Sequence, residues 1–138
     1  MNDRREELRL PVGPLRFEFS VPAHAMSLGT VRRAMYTMAD VCGPEVAEAL
    51  VLIFSELMTN TIRHAGVPDN DPLEILLEIE DGRVRGSVAD RGGGFAPERT
   101  PRSVPGADGG YGLRIVDRLS RRWGVEQRGE LSIVWFEL

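Results

Sequence analysis

Apolar and polar positions recur along this chain with two different periods, and the changes of period divide it into elements. LRFEFSV at residues 15–21 alternates strictly, the two-residue period of a strand with one buried face. Pro22 closes it. Residues 23–40 instead place Ala25, Leu28, Val31, Met35 and Met38 at intervals of three and four, which keeps side chains on one face of a helix. CGP at 42–44 interrupts that helix. Pro44 suits the first turn of a second one, predicted to run to His64 or Ala65 and to stop at Gly66, the residue type that closes helices in the left-handed conformation. After the turn-rich GVPDNDP at 66–72, the pattern predicts strands over 73–80 and 83–89 joined by Asp81-Gly82, a common hairpin pair.

From Asp90 to Gly112 the periodicity vanishes, and glycines and prolines crowd DRGGGFAPERTPRSVPGADGGYG. A connection longer than about 12–15 residues is more often functional or disordered than a mere link. Period returns as a helix in YGLRIVDRLSRR, where Leu113, Val116 and Leu119 form the apolar stripe and Arg114, Arg118, Arg121 and Arg122 lie mostly elsewhere. Two strands, 123–128 and 131–137, close the chain across a tight turn at 128–130. This order of elements predicts an α+β fold, a two-layer sandwich with helices on one face of a mixed, largely antiparallel sheet.

Composition narrows the function without naming it. The 138 residues suit one domain spanning 1–138, with a charged and flexible start over 1–14. Seventeen basic against twenty-one acidic residues give a formal charge of −4 with no block of one sign, which argues against direct nucleic-acid binding. Cys42 is the single cysteine, so an internal disulfide and a cysteine-based zinc site are excluded. The strongest apolar run, ALVLIF at 49–54, is far shorter than the roughly 20 residues of a membrane span, and MNDRREELRL lacks a signal-peptide core. A cytoplasmic protein with no membrane partner is expected.

The second helix carries the first candidate chemistry. Its end reads SELMTNTIRHAG, and positions four apart drift by only about 40° around a helix, so Glu56, Asn60 and His64 share one edge. By the same arithmetic Ile53, Leu57, Leu50, Phe54 and Met58 fill the adjoining sector. The polar stripe therefore borders the core, where polar groups left unpaired cost roughly 1–3 kcal/mol. Taken singly, each of these groups reads as a cap on neighbouring backbone or as part of a solvated rim. Two glycine-rich stretches further along the chain shift the balance toward a ligand site.

Asp90-Arg-Gly-Gly-Gly-Phe places a carboxylate at a strand end with glycines beyond it. Such a carboxylate can accept a hydrogen bond from an exocyclic amine, while glycine lets a ring or phosphate approach the backbone. Gly109-Gly-Tyr-Gly-Leu then opens a helix, and free N–H groups at helix N-termini suit phosphate. Neither stretch is a P-loop or a dinucleotide fingerprint. Another nucleotide architecture is required.

In order and spacing these motifs resemble the GHKL superfamily of ATP-binding domains, shared by gyrase, Hsp90-type chaperones, histidine kinases and MutL. Glu56-x-x-x-Asn60-x-x-x-His64 resembles its N box, Asp90-x-Gly92-x-Gly94 its first glycine box, and Gly110-x-Gly112-Leu113 its second. The short length, the opening FEFSVP and the ending RWGV…IVWFEL are similar to the small anti-sigma factor serine/threonine kinases of bacterial partner switching. With no phosphoacceptor-histidine hairpin ahead of the module, a complete histidine kinase is not expected.

The resemblance implies roles residue by residue. Asn60 would coordinate Mg²⁺ bridging the ATP phosphates, Glu56 would act as general base or orient the substrate hydroxyl, and His64 would reach a phosphate or support the site. Asp90 would read the adenine amine, Gly92 and Gly94 would make room for the base, and Gly110, Gly112 and Leu113 would face the phosphates beneath a lid over 95–109. The implied reaction is transfer from ATP to a serine of an anti-anti-sigma (STAS-type) protein, the kinase otherwise sequestering a sigma factor. A homodimer is common among the related kinases. A non-catalytic nucleotide-binding protein that regulates by sequestration alone is the alternative.

Overall fold

The computed structural model describes residues 13–64, 67–68, 70–91 and 113–138. Nine elements are described in chain order: β1 (Leu15–Pro22), α1 (Ser27–Thr37), α2 (Ala39–Cys42), α3 (Pro44–His64), β2 (Pro72–Glu80), β3 (Arg83–Asp90), α4 (Leu113–Leu119), β4 (Arg122–Arg128) and β5 (Leu131–Glu137). The single helix expected over 23–40 is shorter and divided. A turn at Met38 separates α1 from α2, and Gly43, with φ of 88° and ψ of 158°, breaks the chain before α3. Pro44 explains the second break, because its ring disfavours helical backbone in the residue before it.

The strands form one five-stranded sheet in the order β1-β2-β3-β5-β4, and each neighbouring pair is antiparallel. The sheet is thus antiparallel throughout its described strands rather than mixed. Asp81 takes φ of 48° and Gly82 φ of 74°, the pair of positive values that a type I′ hairpin demands. The β4–β5 loop is Gly129-Glu130, and Gly129 takes φ of 58° at its first position. Tight turns set both registers.

One face of the sheet is apolar and the helices cover it. Leu73, Ile75 and Leu77 of β2, Val84 and Val88 of β3, and Val134 and Phe136 of β5 are buried against Leu50, Ile53, Phe54, Leu57 and Met58 of α3 in one core cluster. Full burial of each such side chain stabilises by about 1.5–3 kcal/mol, so α3 is the main anchor of the helical layer. Phe54 and Phe136 meet edge to face with ring centroids 5.2 Å apart. Gly86 makes that contact possible: a Cβ there would lie 2.9 Å from the Phe54 ring and closer still to Phe136.

The opposite sheet face carries Arg85 stacked on the Trp135 ring at 4.9 Å and exposed ion pairs such as Arg128–Glu126 at 3.0 Å. Such pairs add little stability each. Among the described residues, no helix is long and apolar enough to cross a membrane.

Candidate functional site

Helical spacing sets Glu56 and Asn60 on one edge of α3. Glu56 is half-buried beside Ser55, and Asn60 is only 4% exposed, one helical turn further on. The Asn60 neighbours on the apolar side, Leu57 and Met58, are core residues, so the amide is drawn inward with them. Its Oδ1 is buried and has no hydrogen-bond partner among the described residues. The adjacent Thr61 solves the same problem locally by donating its hydroxyl to the Leu57 carbonyl at 2.9 Å. Asn60 does not, and an unpaired buried carbonyl costs about 1–3 kcal/mol. His64 is the last residue of α3.

Asp90 ends β3, the middle strand of the sheet, and is 2% exposed. Strand alternation from Val84 and Val88 brings it to the helix-covered face. It pairs across β5 with Ser132, which is 1% exposed, and residues opposite one another in an antiparallel pair share a face. α3 packs against both β3 and α4, which gathers the carrier elements of Glu56, Asn60, Asp90 and Leu113. Leu113 itself is buried in the core, so only its backbone is left to face a ligand. Gly92, Gly94, Gly110, Gly112, the expected lid over 95–109 and the helix stop at Gly66 lie outside the described residues.

The arrangement offers two kinds of acceptor. A neutral amide oxygen, buried and unsatisfied, is a hard donor of the type Mg²⁺ takes, and Mg²⁺ needs few protein ligands because it keeps several waters. A buried carboxylate at a strand end can receive an amine. A broad cleft of about 650 Å³ lies elsewhere, at the other end of β3 and β5. Four arginines (Arg83, Arg85, Arg121, Arg122) and four acids (Glu78, Glu80, Asp81, Glu137) line it, so its side chains present no net charge to a nucleotide. No motif residue is among those lining that cleft.

Sequence reasoning missed Ser132. In LSIVWFEL the buried positions are Ser132, Val134 and Phe136, so part of the signal was present, a hydroxyl occupying the apolar phase of a strand; its place opposite Asp90 comes only from strand pairing.

A helical layer on an antiparallel sheet, with a buried amide on the long helix and a buried carboxylate at the end of the middle strand, defines a histidine kinase-like ATPase fold. The Histidine kinase-like ATPase domain family matches residues 21–138, and the chain belongs to that family. An uncharacterized protein of Streptomyces coelicolor is 34% identical over 86 residues, which are 58% of this chain and 75% of that protein. The crystal structure of the RsbU and RsbW domains of Rv1364c from Mycobacterium tuberculosis superposes with a TM-score of 0.66 and 17% identity, over 89% of this chain and 32% of that longer one. At that identity the likeness is one of fold.

Proposed function

We propose that this chain is an ATP- and Mg²⁺-dependent protein kinase that phosphorylates a serine of an anti-anti-sigma (STAS-type) protein and, when not so engaged, sequesters a sigma factor. One observation carries the reading: Asn60 holds a buried amide oxygen with no partner among the described residues, on the helix edge that also presents Glu56. A fold that tolerates this cost gains something from the group, and family membership supports a nucleotide–metal complex as the gain. The sequence resemblance to the small anti-sigma factor kinases, together with an RsbW domain in the structural neighbour, supports the choice of reaction.

Each group then has a task. Asn60 Oδ1 would hold Mg²⁺, which when bound supplies charge neutralisation on the phosphate oxygens. Asp90 would accept from the adenine amine and orient the nucleotide with its phosphates toward α3, while Gly110 and Gly112 would leave backbone N–H groups near them. His64 would support the phosphate end. Glu56 would align the substrate serine and receive its proton as the serine Oγ bonds to the γ-phosphorus and the bond to the β-phosphate oxygen breaks, giving ADP and phosphoserine. Phosphoryl transfer asks a protein chiefly for positioning and electrostatics, so this small set suffices.

The test uses purified chain, γ-labelled ATP, Mg²⁺ and an anti-anti-sigma protein. Label should reach a serine of that protein. Glu56→Gln should retain nucleotide binding while transfer falls about 10²- to 10⁴-fold, the usual share of a general base, whereas Asp90→Asn should act mainly on nucleotide binding. Bound ATP with no label on the partner would refute the kinase and leave sequestration alone.

A further inference from the structure

Three strands of the sheet contribute one row of polar side chains: Asp90 on β3, Ser132 on β5 and Gln127 on β4, each opposite the next in register. The Ser132 hydroxyl lies 2.8 Å from Gln127 Oε1, and Gln127 Nε2 lies 3.2 Å from the carbonyl of Gly129 in the following turn. The directions of the two hydrogen bonds made by Gln127 follow from their partners. A backbone carbonyl only accepts, so the Gln127 amide must turn its NH₂ toward Gly129 and its oxygen toward Ser132. That oxygen also only accepts, so Ser132 must donate to it. A hydroxyl has one proton and two lone pairs. With the proton held by Gln127, Ser132 presents lone pairs elsewhere.

We infer that Gln127, through Ser132, is a positioning residue that sets base selectivity by making the Asp90 end of the sheet accept hydrogen bonds and not donate them. A free serine hydroxyl would rotate to suit either an amino or a keto group. Held as it is, Ser132 joins the Asp90 carboxylate in favouring a purine with an amine at position 6 and opposing one with an oxygen there. Mismatched polarity in a buried site is the strongest form of such discrimination, since both sides are left unpaired. The inference rests on the reading that Asp90 receives the nucleobase. Gln127 is separated from Asp90 by Ser132 in that row, and no motif of the sequence marks it.

The experiment is calorimetric titration of the intact chain with Mg²⁺ and either ATP or inosine triphosphate, which differs from ATP by a keto group in place of the 6-amine. The unmodified protein should prefer ATP. Gln127→Met, at an exposed position, removes the acceptor, frees the hydroxyl to donate, and should narrow the preference about tenfold, chiefly through tighter inosine triphosphate. Gln127→Glu keeps an acceptor facing Ser132 and should hold the ratio within about twofold of the unmodified protein. Thermal melting of each variant checks that the fold is kept. An unchanged ratio in Gln127→Met, or an equal loss in Gln127→Glu, overturns the inference while leaving nucleotide binding in place. Failure of the unmodified protein to bind ATP, or to prefer it, overturns the underlying reading instead.

Discussion

Replacing Asn60 by leucine should make the nucleotide-free protein more stable and the nucleotide-bound state unreachable. Leucine reproduces the branched outline of asparagine with no polar atom, so the substitution removes a buried carbonyl that has no partner among the described residues. Relief of that unsatisfied group is worth about 1–3 kcal/mol, and the better helix propensity of leucine adds a few tenths in the middle of α3. The larger leucine methyls press on a core already packed by Leu57 and Met58, which takes part of the gain back. A net stabilisation of about 1–2 kcal/mol remains. Unfolding entropy of about 2.1 cal/mol/K per residue over 138 residues converts this to a Tm rise of about 3–7 °C. Calorimetric melting of both proteins, with and without MgATP, measures it. The unmodified chain should gain Tm on adding MgATP, because ligand at 100 times Kd stabilises by about 2.7 kcal/mol. The variant should start higher and not respond. A lower Tm in the variant without ligand, or a shift with MgATP equal to that of the unmodified protein, would refute the assignment of an unpaired, metal-facing amide.

The core packing and the Arg122–Glu137 ion pair make two further outcomes testable. Gly86→Ala should destabilise by about 1–3 kcal/mol, the usual result of overpacking, because its Cβ would meet both rings of the Phe54–Phe136 pair; denaturant unfolding with unchanged m-value checks it, and a neutral result would mean that the rings move aside freely. The Glu137 carboxyl lies below its ordinary value, first because Arg122 donates to its Oε2 at 2.7 Å and then through the positive charge of Arg122, Arg85 and Arg83. A depressed carboxylate stabilises the fold above its unfolded pKa and loses that contribution as pH falls through the folded value. Arg122→Ala should therefore raise the Glu137 pKa toward the ordinary range in an NMR titration of its carboxyl, and should flatten the acid side of the stability profile.

The α+β class, all five strands and the long α3 were legible from local information, since period two and period 3.6 report which side chains share a face and Gly-Pro punctuation reports where each element stops. That Glu56 and Asn60 share one edge of α3 was legible for the same reason: four-residue spacing is a property of one helix. Where α1 ends was less so, because the turn at Met38 retains helical φ and ψ and leaves no mark in the pattern. Strand order was a tertiary decision. β5 inserts between β3 and β4, an arrangement that buries Val134 and Phe136 in the core with α3. That insertion puts Ser132 beside Asp90 and Gln127 beside Ser132, residues distant in sequence or unremarkable in type. The chain by itself determined that Glu56 and Asn60 share one edge of α3 and that Asp90 falls at a strand end, through spacing along single elements. The packed sheet decided that the Asn60 oxygen would be buried without a partner among the described residues and that the Ser132 proton would point toward β4, because burial and hydrogen-bond direction depend on neighbours that only folding brings together.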